Sequence, residues 1–167
     1  MGLARRLTRK QTITACGKEW GVVFTHGALL YIQELTGFNI FADGLRFNAT
    51  MSARVLRCVL YAVLRDAGCN LAMEEAGELL SLNRIGPMRL KLAAAWNESM
   101  PVQQLQSAGS DDKPARMTWL TAWAAARFDL GLSDEEWLEM TPRMAQALSL
   151  RRLDAQRHYE LMAAVIA

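Results

Sequence analysis

The sequence is poor in the residues from which catalytic and metal sites are built. It holds only two histidines, His26 and His158, and three cysteines, Cys16, Cys58 and Cys69. The cysteines are widely spaced, with no CxxC pair, whereas a structural zinc site needs closely paired ligands. No metal site is expected, and the three thiols read as free and buried in a reducing cytoplasm. There is no glycine-rich phosphate loop and no nucleophile elbow. Acidic residues gather at helix starts, where capping and the helix dipole account for them. Asp154 and His158 stand four apart, as an ordinary surface pair does. His26, beside Gly27 at a helix start, has no residue spaced to orient it for proton transfer and reads as structural or exposed. The chain is therefore read as non-enzymatic, with no cofactor and no small-molecule substrate.

Long apolar runs are also missing. No stretch approaches the ~18 residues that a membrane span requires. Arg5, Arg6, Arg9 and Lys10 are not followed by an apolar segment, so they do not read as a secretory signal. They read as a solvated end, or as a contact for a nucleic acid or an acidic partner. A net charge of +2 over 167 residues makes no strong field, so nucleic acid is not the expected partner. What is present is ordinary for a folded core, 51% hydrophobic and 22% charged. The length fits one domain, or one domain with a small appendage.

Taken in order, the chain predicts a mainly α protein with a small β element at its start. Residues 11–24 read as a β-hairpin turning at Gly17-Lys18, with Ala15 facing Trp20 and Ile13 facing Val22. Ile13, Ala15, Trp20, Val22 and Phe24 would share one face. A helix from His26 to Thr36 carries Ala28, Leu29, Ile32 and Leu35, and Gly37 stops it. The loop that follows holds Phe38, Phe41 and Phe47. These either close one end of the core or form a patch for a partner.

The clearest periodicity lies between Ser52 and Ala67. Val55, Leu56, Val59, Leu60, Val63 and Leu64 recur in pairs four apart, which makes this the core helix. Arg54, Arg57 and Arg65 lie on its other sides. A shorter helix follows over Met73–Leu82 and another from Ile85 to about Trp96. Two helices about a short turn invite a helix-turn-helix reading of Met73–Trp96, with Arg84, Arg89 and Lys91 supplying charge. The usual turn glycine is absent, and Pro87 sits early in the would-be recognition helix.

Residues 99–115 are polar, with glycine and two prolines, and read as a flexible linker. They separate an N-terminal domain, residues 1–98, from an all-α C-terminal module, residues 116–167. The module opens with a helix from Arg116 to Asp129 bearing Trp119, Trp123 and Phe128. Together with Trp137, the two tryptophans either make a small core with the last helix or face a partner.

Two helix starts follow in succession. Ser133 and Glu136 form a capping box, with Asp134, Glu135 and Glu136 at the positive end of the turn. Thr141-Pro142 is an N-cap with proline at the first helical position. A basic amphipathic helix then runs from Pro142 to Ile166, its apolar seam interrupted by Arg151 and Arg152. The expected packing is onto Trp119 and Trp123.

The stretch Gly131-Leu132-Ser133-Asp134-Glu135-Glu136-Trp137, followed by Met140-Thr141-Pro142 and a basic helix, resembles the C-terminal part of phage tail assembly chaperones and their gene-transfer-agent relatives. Arg143 and Met144 stand where that family has an acidic-leucine pair. A hairpin ahead of a helical bundle extends the likeness loosely upstream. The resemblance implies a non-catalytic protein of the host bacterial cytoplasm, absent from the finished virion. Such proteins coat the tape-measure protein, keep it soluble and recruit tail-tube subunits. The residues that would meet partners are Phe38, Phe41, Phe47, Trp119, Trp123, Trp137, Arg151 and Arg152, with self-association of the N-terminal domain a further expectation. The alternatives are a DNA-binding regulator using Met73–Trp96, or a helical protein–protein adaptor.

Overall fold

The computed structural model describes residues 11–40, 44–101 and 118–166, with side chains to 161. The expected linker lies almost wholly outside these, as do Phe41 and the basic residues at positions 5–10.

Strands β1 (Thr12–Ala15) and β2 (Lys18–Gly21) form the hairpin. Its two-residue turn is Cys16-Gly17, with φ of 51° and 70°. Positive φ at both turn positions suits the right-handed twist of the strands, and glycine supplies it freely while cysteine does not. The turn thus falls one position before the expected Gly17-Lys18. Ile13 faces Trp20 and Ala15 faces Lys18. Each partner moves by an even number of residues, so the expected face survives. Ile13, Ala15, Val22 and Phe24 are buried. Trp20 packs beside them and donates its indole N–H to the Ala15 carbonyl at 3.1 Å.

Helix α1 (His26–Thr36) begins at Thr25, whose hydroxyl accepts from Ala28 N at 3.1 Å. Gly37 closes it in the left-handed conformation. Helix α2 (Ala53–Asp66), capped by Ser52, is the centre of the fold. Cys58, Tyr61 and Ala62 are buried along with Leu56, Val59, Leu60, Val63 and Leu64, while Val55 is half-buried. A helix covered on more than one side has no single solvent face. Arg65 reaches out of it and donates to the Tyr61 hydroxyl at 2.6 Å.

Helix α3 (Met73–Glu78) is shorter than its apolar pattern predicted. Glu75 accepts from Ala72 N at 2.6 Å and holds its start. Helix α4 (Ile85–Ser99) brings Leu92, Ala95 and Trp96 to the core. Its last residue ties it to the hairpin. Ser99 Oγ accepts from Phe24 N at 3.0 Å and donates to the Ala95 carbonyl at 2.8 Å.

In the C-terminal part, α5 (Trp119–Ala124) continues as one π turn over Ala125–Asp129. Helix α6 (Asp134–Glu139) has the expected capping box, with Ser133 N donating to Glu136 Oε2 and Glu136 N to Ser133 Oγ. The Ser133 backbone N–H, followed by the Ser133 hydroxyl, holds the Glu136 carboxyl below its ordinary range. Thr141 starts α7 (Pro142–Ile166) by accepting from Met144 N at 3.2 Å. Among the described residues, no helix is long and apolar enough to cross a membrane.

Candidate partner-binding surface

The C-terminal helices meet the N-terminal bundle at a junction centred on His26. Its imidazole is buried and lies on the Trp137 indole, with ring centroids 3.4 Å apart. Trp119 adds an edge at 6.3 Å. Backbone hydrogen bonding joins the same two segments, from His26 N to the Met140 carbonyl at 2.9 Å. Burial pulls the imidazole pKa from 6.5 down to about 4, against smaller raising effects of the Met140 and Trp137 backbone. His26 is therefore the neutral floor of an aromatic joint.

Gly27 permits this approach. A Cβ there would stand 3.1 Å from Asp66 Oδ1 and 3.2 Å from the Leu138 carbonyl oxygen. Arg143 adds a second tether from α7, donating to the Met100 carbonyl at 2.8 Å and the Asn97 carbonyl at 2.5 Å. It caps the end of α4, where orphan carbonyls favour a cation. The sequence pattern gave no sign of either role, because neither residue sits in a local motif with its partner.

The predicted contact residues separate into different environments. Trp137 is only 3% exposed and belongs to the joint. Trp119 and Trp123 are half-buried and flank a small cluster whose buried centre is Ala122, Ala126 and Trp137. The two flanking indoles do different work. Trp119 leans on Trp137 at 6.1 Å, while Trp123 donates to Asp134 Oδ1 at 2.9 Å and meets Phe128 edge-on. Phe128 and Leu120 point to solvent. Phe47 is half-buried against Phe24 and Trp96, so it closes the core. Phe38 is 47% exposed at the rim of a cleft of about 220 Å³ between α1 and α2, lined also by Leu35, Arg54, Val55 and Cys58. That is smaller than the ~300–1,000 Å³ of ordinary ligand pockets.

Helix α7 departs from expectation. Only its first turns pack, through buried Thr141 and Pro142 and through Ala145 against the tryptophan cluster. From Ala147 to Leu161 every residue is exposed. Leu148 and Tyr159 lie on one side, and Leu150, Leu153 and Leu161 lie on nearly the opposite one by the ~100° step of an α-helix. Apolar residues on two sides give no single stripe to bury against the module. Arg151 and Arg152 stand between them, also exposed.

Both helices of the helix-turn-helix reading contribute to the core, through Ala76 of α3 and Leu92 and Ala95 of α4. Lys91 of α4 donates to the Thr12 carbonyl of the hairpin at 3.0 Å, and α3 carries Glu74, Glu75 and Glu78. Among the described residues, no group of three or more His, Cys, Asp or Glu side chains could hold a metal ion. No family model, curated protein or solved structure matches the chain.

Proposed function

We propose that this protein is a non-catalytic tail assembly chaperone of a long-tailed phage or a prophage-derived particle, covering the tape-measure protein and recruiting tail-tube subunits. The observation that carries the reading is the free length of α7. The helix is 25 residues long, about 37 Å at 1.5 Å per residue. Five of its large apolar side chains, Leu148, Leu150, Leu153, Tyr159 and Leu161, are exposed. Leu150, Leu153 and Leu161 share one side of the helix, which suits an apolar helical client laid along it, and Arg151 and Arg152 add a polar rim. The resemblance over Gly131–Pro142 supports the assignment to tail assembly. The joint at His26 fixes where α7 leaves the body.

The test is co-expression with the tape-measure and tube proteins of the same gene cluster, followed by affinity capture of the full chain and of L150E/L153E. Both substituted residues are exposed, so folding is unaffected while the helix surface turns acidic. Capture of both partners by the native chain, with loss of at least one by the variant, supports the chaperone. Capture of neither partner at low or moderate salt removes the tail-assembly reading. A stable, permanent complex with some other protein would then favour an adaptor, and salt-sensitive binding to duplex DNA a regulator.

A further inference from the structure

Cys16 and Cys69 are far apart in sequence but adjacent in space. Their sulfurs lie 3.8 Å apart, with the Cys69 thiol donating to Cys16 Sγ. The expectation of three buried thiols holds for Cys58 and Cys69 and fails for Cys16, which is exposed at the hairpin tip. Cys16 also occupies a turn position with φ of 51°, where asparagine, aspartate or glycine is favoured on conformational grounds. The turn thus presents a thiol to solvent with a second thiol directly beneath it.

We propose that Cys16 and Cys69 form a thiol-modification site that low-molecular-weight disulfides convert to an intramolecular disulfide. In the first step the Cys16 sulfur, as thiolate, attacks one sulfur of oxidised glutathione. The glutathione S–S bond breaks and its electron pair leaves on one glutathione, which takes up the proton that Cys16 released. In the second step Cys69 gives its proton to solvent and attacks Cys16 Sγ, expelling the second glutathione as its thiol. The protein dithiol is oxidised by two electrons, and one glutathione disulfide is reduced to two thiols. The sulfurs must close from 3.8 Å to about 2.0 Å, an approach made by the exposed hairpin tip.

Burial is the largest of the effects that push the Cys69 thiol up to about 11, with the Cys16 contact and Glu75 adding and Lys18 opposing. Few Cys69 thiolates exist near neutrality, so ring closure quickens as pH rises toward that value. Exposed Cys16 takes the first hit and buried Cys69 resolves it. The product ties the hairpin tip to the segment between α2 and α3, beside the point where Trp20 rests on Gly68. The free dithiol is the form held by a reducing glutathione pool.

The experiment uses the full chain with oxidised glutathione, followed by denaturation, alkylation of free thiols, intact mass and peptide mapping. The native chain is expected to end as a Cys16–Cys69 disulfide with Cys58 alkylated, and to melt at a higher temperature than its reduced form. C69S and C69A should stop at a glutathione adduct on Cys16, and C16S should stay reduced. Using both Cys69 variants separates loss of the thiol from a packing defect at a buried site. The proposal is overturned if the native chain stops at the same adduct, if Cys16 pairs between two chains, or if the folded chain stays fully alkylatable while the unfolded one reacts.

Discussion

The imidazole of His26 and the indole of Trp137 are stacked at 3.4 Å with their planes 24° apart, one ring at the start of α1 and the other in α6. This contact joins the bundle to the C-terminal helices. Removing the indole therefore opens a cavity at a junction, where neither side can collapse onto the other without moving a helix. Trp137→Ala should lower unfolding stability by about 3–5 kcal/mol, as large aromatic truncations do. Trp137 Nε1 is buried without a hydrogen-bond acceptor among the described residues. Trp137→Phe, which keeps a ring and drops that donor, should cost under half as much. Urea denaturation of both variants measures this, and equal losses would contradict the stacking account.

Acid should weaken the same joint. The folded-state pKa of His26 is depressed, from 6.5 to about 4, so the unfolded chain takes up the proton first as pH falls. Its contribution is complete above about pH 6.5, declines as pH drops toward 4 and is flat below. The full loss approaches about 3 kcal/mol. The expected result is a slope in stability over that window that is absent in His26→Gln. Identical slopes in the two proteins would mean that other groups carry the acid sensitivity.

Ser99 makes a long-range link, accepting from Phe24 N across 75 residues of sequence. Ser99→Ala leaves that buried N–H without its acceptor and should cost about 1–3 kcal/mol. Amide exchange at Phe24 should quicken along with the fall in stability. Protection at Phe24 unchanged from the native chain would show that another acceptor takes over.

Gly27→Ala tests how closely α1 and the end of α6 approach. The added methyl meets a carboxylate oxygen at 3.1 Å and a backbone oxygen at 3.2 Å, and the backbone cannot swing aside as a side chain can. Overpacking of this kind costs about 1–3 kcal/mol, and tryptophan fluorescence should report a changed environment at Trp137. A variant as stable as the native chain, with the same emission, would show that the joint is looser than these distances.

The sequence by itself determined the elements whose causes are local. Ser133 with Glu136 and Thr141 with Pro142 mark helix starts because capping bonds span three residues, and those bonds are present. The apolar pairs from Val55 to Leu64 determine α2 because helical period is a property of the chain alone. Alternation likewise set the buried face of the hairpin, although its turn moved to Cys16-Gly17, since a shift by an even number keeps the face. Tertiary structure decided everything that depends on distant segments meeting. That includes the stack of His26 on Trp137, the capping of α4 by Arg143, the pairing of Cys16 with Cys69 across 53 residues, and the exposure of α7 beyond its first turns. The first three leave no periodic or short-range trace, because each contact energy arises only after chain folding has brought the two surfaces together, whereas the exposure of α7 is foreshadowed by apolar residues on two opposite sides of the helix.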